Sequence, residues 1–120
     1  MNLKDLTRDE QLALGGLVRL MIRADGVFSE EEEERVNAIG EELGGVDLFW
    51  KMISDSAQAF RSDDDVRVAA IAITRADARD LVLGVLGSVA VADTVSAAEQ
   101  GLIDALRAAW ATADKARGAT

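Results

Sequence analysis

The chain has 120 residues, a net charge of −9, and no cysteine, histidine, tyrosine or proline. Disulfides, thiolate nucleophiles and cysteine metal sites are thereby excluded. The commonest general base and the commonest transition-metal ligand are absent as well, so the expectation is a protein that is not an enzyme. Such an acidic surface repels nucleic-acid phosphates and anionic headgroups. The natural partners are cations or basic patches on another protein, not nucleic acid.

The length fits one domain, 1–120, and an apolar fraction of 49% is that of a folded chain. The first residues, Met1-Asn2-Leu3-Lys4-Asp5-Leu6, lack the basic-then-apolar order of a signal peptide. The longest nearly apolar run, Leu81 to Ala92, is 12 residues long and broken by glycine and serine. It is too short to cross a bilayer, so the expectation is a cytoplasmic protein without direct membrane insertion.

In chain order, Thr7 and Glu10 have capping-box spacing, opening a helix whose apolar stripe runs through Leu14, Leu17, Val18 and Met21. Gly26 suits a helix stop, and Ser29 with Glu32 forms the next capping box. A second helix follows with Val36, Ile39 and Leu43 on one face, and Gly44-Gly45 ends it. Asp47 is placed to cap a third helix carrying Phe49, Met52, Ile53 and Phe60. Ser62 with Asp65 opens a short fourth helix, and Thr74 with Asp77 a fifth that runs toward Ala92. Ser96 with Glu99 opens the sixth, with Leu102, Ile103, Leu106 and Trp110 on one face and fraying from about Ala113. Trp50 and Trp110 read as core residues. The expectation is all-α, a single-domain helical bundle of about six helices.

Two segments match. At an offset of 68, Leu14, Gly16, Leu17, Val18 and Met21 pair with Val82, Gly84, Val85, Leu86 and Val89. After the intervening loop the offset is 67, pairing Ser29, Glu32, Val36 and Ile39 with Ser96, Glu99, Ile103 and Leu106. This predicts an internal pseudo-two-fold duplication with repeat halves of about 7–43 and 74–113. A mid-helix glycine costs about 1 kcal/mol relative to alanine. Gly16 and Gly84 are therefore expected where the first and fifth helices cross closely.

The loop Asp25-Gly26-Val27-Phe28-Ser29-Glu30-Glu31-Glu32 resembles the back half of a calcium-binding EF-hand loop. The front half fails, because Met21 and Arg23 stand where ligand oxygens are required. Helix stop, staple and cap explain Gly26, Phe28, Ser29 and Glu32. Asp25 and Asp93 follow helix ends, where the dipole disfavours a carboxylate. Either each accepts a loop amide, or each faces a cation. In the second case the candidate ligands are Asp25 and Glu32 in one loop and Asp93 and Glu99 in the other. Oxygen ligands alone select Ca²⁺, Mg²⁺ or Mn²⁺. Antiparallel packing of the first and fifth helices would separate the loops by roughly 25 Å, while parallel packing would let them converge. The run Glu30, Glu31, Glu33 and Glu34 is either a solvated helix start or an acidic surface for a basic partner.

The pattern Ala24-Asp25-Gly26 with Ser29 and Glu32, and the weaker copy Ala92-Asp93 with Ser96 and Glu99, resembles the TerB-like domains, named for a bacterial tellurite-resistance protein. The second copy departs from the pattern, with Thr94 in place of glycine and one residue fewer. The resemblance implies a helical binding or scaffold module with internal symmetry. It also implies a divalent-cation response, a role in bacterial chemical-stress or metal-related responses, and protein partners that include membrane-associated stress-response proteins. The alternative is a metal-independent interaction scaffold using its acidic surface.

Overall fold

The computed structural model describes residues 2–24, 30–90 and 97–118, with side chains described over 2–23, 30–89 and 100–116. Among these, six α-helices follow a short 3-10 turn at Leu3–Asp5, with no strand. They are α1 (Arg8–Ala24), α2 (Glu30–Glu42), α3 (Val46–Ala59), α4 (Asp63–Ile71), α5 (Ala76–Ala90) and α6 (Ala97–Gly118). The radius of gyration is 13.7 Å, close to the roughly 13.6 Å expected of a compact chain of this length.

Several helix boundaries follow from local chemistry. The Glu10 amide donates to Thr7 Oγ1 at 3.2 Å, and the Thr7 amide donates to Glu10 Oε1 at 2.8 Å, completing the capping box of α1. The Asp65 amide donates to Ser62 Oγ at the start of α4. At the end of α2, Gly44 has a φ of +92°. The Gly45 amide reaches the Gly40 carbonyl at 2.8 Å and the Gly44 amide the Glu41 carbonyl at 3.3 Å. Those two bonds make a left-handed helix stop that glycine adopts without a Cβ clash.

Other boundaries depart from expectation. Asp47 lies inside the first turn of α3, whose N-cap is Gly45 with no side-chain bond. No hydrogen bond joins Thr74 to Asp77. Instead the Arg79 amide donates to the Arg75 carbonyl at 3.0 Å, so α5 starts from Arg75, whose side chain is drawn toward Glu10. Nor does the chain fray at Ala113: α6 continues to Gly118. Arg79 holds Asp114 with two bonds, at 2.7 and 3.0 Å. The capping boxes expected at Ser29 and Ser96 lie outside the described residues, as does Gly26.

α1 is the central element. It packs against α3, α4, α5 and α6, while α2 packs against α3 and α5. Ala13 to Val18 are buried without a break, so α1 has neighbours on nearly every side at mid-length. Phe49, Leu14, Leu17, Met21, Met52 and Leu86 are among the largest fully buried side chains. Each contributes about 1.5–3 kcal/mol of transfer free energy. Among the described glycines the tightest approach is at Gly15, where a Cβ would overlap the Met52 carbonyl of α3. Gly16 instead faces Val66 and Phe60, with Val66 Cγ1 2.9 Å from a would-be Cβ. Gly84 has nothing within 4 Å of that position. Neither glycine therefore marks a close crossing of α1 with α5, because the tight seam of α1 is formed with α3 and α4.

Both tryptophans are structural. The Trp110 indole, 4% exposed, donates to the Ala70 carbonyl at 2.8 Å and lies under the Arg79 guanidinium, 5.1 Å from the ring centre. Half-buried Trp50 donates to Asn37 Oδ1 at 2.6 Å, joining α3 to α2.

Candidate functional site

Acidic side chains are the main carriers of chemistry in this chain, and the structure puts them in three settings. The first is structural. Glu10 is buried beneath Arg75, whose Nε donates to Oε2 at 3.1 Å and whose Nη2 donates to Oε1 and to the Asp5 carbonyl. The Arg75 hydrogen bond holds the Glu10 carboxyl below its ordinary value, assisted by the Thr7 bonds and opposed by desolvation. This clamp brings the start of α1 and the start of α5 to one end of the molecule.

The second setting is the start of α2. Glu30, Glu31, Glu33 and Glu34 are exposed in its first turns, and Glu32 between them is 2% exposed. Helical spacing separates these roles, since only the third residue of the helix points inward. Glu31 and Glu34 border a shallow depression with Arg35 and Ala38. Of the four candidate metal ligands, Glu32 alone has a described side chain. Asp25 and Asp93 lie outside the described residues, and so does the side chain of Glu99. Among the described residues no group of three or more carboxylates is gathered in a way that could hold a metal ion.

The third setting was not anticipated. Between α2 and α5 runs an open groove of about 640 Å³. Ile39, Leu43, Leu81 and Val85 supply its apolar lining, and Glu42, Asp77 and Asp80 its charge. Gly84 and Ser88 leave little side chain at two positions of the α5 wall. On α5 the residues Asp77, Asp80, Leu81, Gly84 and Ser88 recur at three- and four-residue steps, so they form one stripe along the helix. Among the described residues no ion pair or side-chain hydrogen bond engages Glu42, Asp77 or Asp80. Asp77 sits in the first turn of α5, where the dipole favours it, but Glu42 is the last residue of α2, where the dipole opposes it. The sequence held one signal for this site, the mid-helix Gly84, which was expected at a crossing of α1 with α5 and lies instead on the groove.

A second apolar seam runs between α4 and α6, lined by Ile71, Leu102, Ala105 and Leu106 with Arg67 at its edge. Its one lining charge, Arg67, is answered by Asp64 at 3.1 Å. No described helix is long and apolar enough to cross a membrane. Comparison of the chain with protein-family models, with curated proteins and with solved structures finds no match.

Proposed function

We propose that the chain is a non-catalytic binding and scaffold module of the TerB-like kind, acting in a bacterial chemical-stress or metal-related response by engaging a basic protein partner. The observation that carries this reading is the unbalanced charge of α2. Four exposed glutamates open it, Glu42 closes it, and no basic residue stands in its last turn. Solvation alone accounts for an acidic helix start but gives no reason for a carboxylate at the helix end. The test is partner recovery from lysate by the immobilised full chain, at low and high salt. Replacing Glu30, Glu31, Glu33 and Glu34 with glutamine, leaving the buried Glu32 intact, reduces recovery of a partner that engages the helix start. Unchanged, salt-insensitive recovery counts against an electrostatic partner.

A cation-responsive form of the module is a second reading, favoured by the burial of Glu32 beside the segment that contains Asp25. Ca²⁺, Mg²⁺ and Mn²⁺ are the candidates, with Asp25, Glu32, Asp93 and Glu99 as ligands. Calorimetric titration of the chain and of Asp25→Ala tests it: absent heat, or heat unchanged by the substitution, sinks it.

The same reading includes an internal duplication relating 7–43 to 74–113. Support comes from burial, since the matched pairs Leu14 and Val82, Leu17 and Val85, Val18 and Leu86, Met21 and Val89, Val36 and Ile103, and Ile39 and Leu106 are buried in both members. The Glu10–Arg75 clamp, which brings the starts of the two matched helices together, also fits a pseudo-two-fold arrangement.

A further inference from the structure

We propose that the groove between α2 and α5 is the docking site for a cationic amphipathic helix of another protein. This rests on the binding-module reading above and names where the partner sits and what it looks like.

Shape comes first. The α5 wall runs from Asp77 to Ser88, about 16 Å at 1.5 Å per residue. That is three turns of helix, the span over which a guest helix presents apolar anchors at i, i+4 and i+7. Ile39, Leu43, Leu81 and Val85 offer such anchors a floor, with Leu43 and Leu81 partly exposed and Ile39 and Val85 buried beneath. Glycine in mid-helix weakens the helix, and among the described residues no contact accounts for it, since a Cβ at Gly84 would meet nothing within 4 Å. With Ser88 one turn further along, the bare α5 backbone lets a second helix approach closely.

Charge selects the occupant. Glu42, Asp77 and Asp80 line the groove. Glu42 and Asp80 have no charge partner among the described residues, and Asp77 feels the charge of Arg75 without a direct ion pair. Exposed Asp9, Glu41 and Asp47 also make no ion pair among the described residues, while Arg8–Asp55 and Arg67–Asp64 pair within the chain. The groove differs in setting its carboxylates around an apolar lining. A second copy of the same groove would set three carboxylates against three. Lysines or arginines flanking an apolar stripe meet the acidic rim and relieve the unfavourable place of Glu42 at a helix C-terminus. In a chain of net charge −9, the same field speeds the approach of such a partner.

The probe is a synthetic helical peptide of about 14 residues, long enough to fill the groove, with leucines on one face and lysines flanking them. Its counterpart carries glutamate for every lysine. The isotope-labelled full chain is titrated with each peptide and followed by NMR. The lysine peptide is expected to shift the amides of residues 39–43 and 77–88, and added salt to weaken it. Combined E42Q, D77N and D80N weakens it roughly tenfold. Gly84→Leu, which favours the helix and fills the groove, weakens it by roughly tenfold or more, with folding checked by thermal melting. Equal binding of the glutamate peptide, or binding indifferent to Gly84→Leu, overturns the proposal. Shifts centred on Glu30–Glu34 or on the α4–α6 seam overturn the groove while leaving the binding-module reading standing. Self-association that Gly84→Leu abolishes assigns the groove to a second copy and equally overturns it.

Discussion

Helices α1 and α5 match each other in sequence, yet the fold uses them in opposite ways. α1 is enclosed: Gly15 lies against the Met52 carbonyl and Gly16 against Val66 and Phe60. α5 packs against α1, α2 and α6 and buries Val82, Val85, Leu86 and Val89, yet turns Gly84 toward open space among the described residues. The same residue type thus permits close packing in one helix and leaves a surface bare in the other. Whether a glycine in a helical pattern is covered by a neighbour is decided by tertiary packing.

Substitutions can break this contrast, and the largest effect belongs to Gly15. Gly15→Ala forces α1 and α3 apart, because the obstruction is backbone and cannot rotate away. It should cost about 1–3 kcal/mol, read as a lowered urea midpoint. Gly16→Ala meets valine methyls and a phenylalanine ring edge that can shift, so its loss should be smaller. Gly84→Ala has the opposite sign. Relief of the glycine penalty without a clash should stabilise the chain by about 1 kcal/mol, raising the melting midpoint by roughly 3–6 °C. A Gly84→Ala variant that melts lower than the parent would mean that α5 is as closely covered as α1.

The smallest effect concerns the clamp that ties the two helices together. Arg75 holds the Glu10 carboxyl below its ordinary value of 4.5. The stability this gives is therefore present above the unfolded value and is lost as pH falls through the lower folded one. Urea midpoints measured between about pH 6 and pH 3 should decline for the parent and decline less for Glu10→Gln. Some slope should persist, because hydrogen bonds from Arg8 and then Lys51 also hold the Asp55 carboxyl low. Identical slopes would show that the clamp does not discriminate between the charged and neutral acid.

Much of this architecture was legible in the chain. The Thr7–Glu10 and Ser62–Asp65 caps depend on groups three residues apart, so spacing alone reveals them. The buried stripes of α1, α2 and α6 follow from helical periodicity. What could not be read depends on distant partners. Thr74 and Asp77 have capping spacing, but Glu10, far back in the chain, recruits Arg75 and the helix begins there. The end of α6 looks like a fraying tail until Arg79 is known to reach Asp114. Gly15 and Gly16 are indistinguishable in sequence, because only the position of α3 decides which meets a carbonyl. The groove was hidden for the same reason. Its two walls, Ile39–Leu43 and Asp77–Ser88, are separated by two other helices in sequence.

The two tryptophans give the molecule a built-in optical readout. Trp50 joins α3 to α2, while Trp110 joins α6 to α4 and stacks beneath Arg79. With no tyrosine in the chain, ultraviolet emission comes almost wholly from these two indoles. Single-tryptophan variants would therefore report separately on the α2–α3 and α4–α6 seams. Coincident emission changes during denaturation would mark one cooperative unit, and staggered ones would show that the half of the chain carrying α6 can open while the other stays closed.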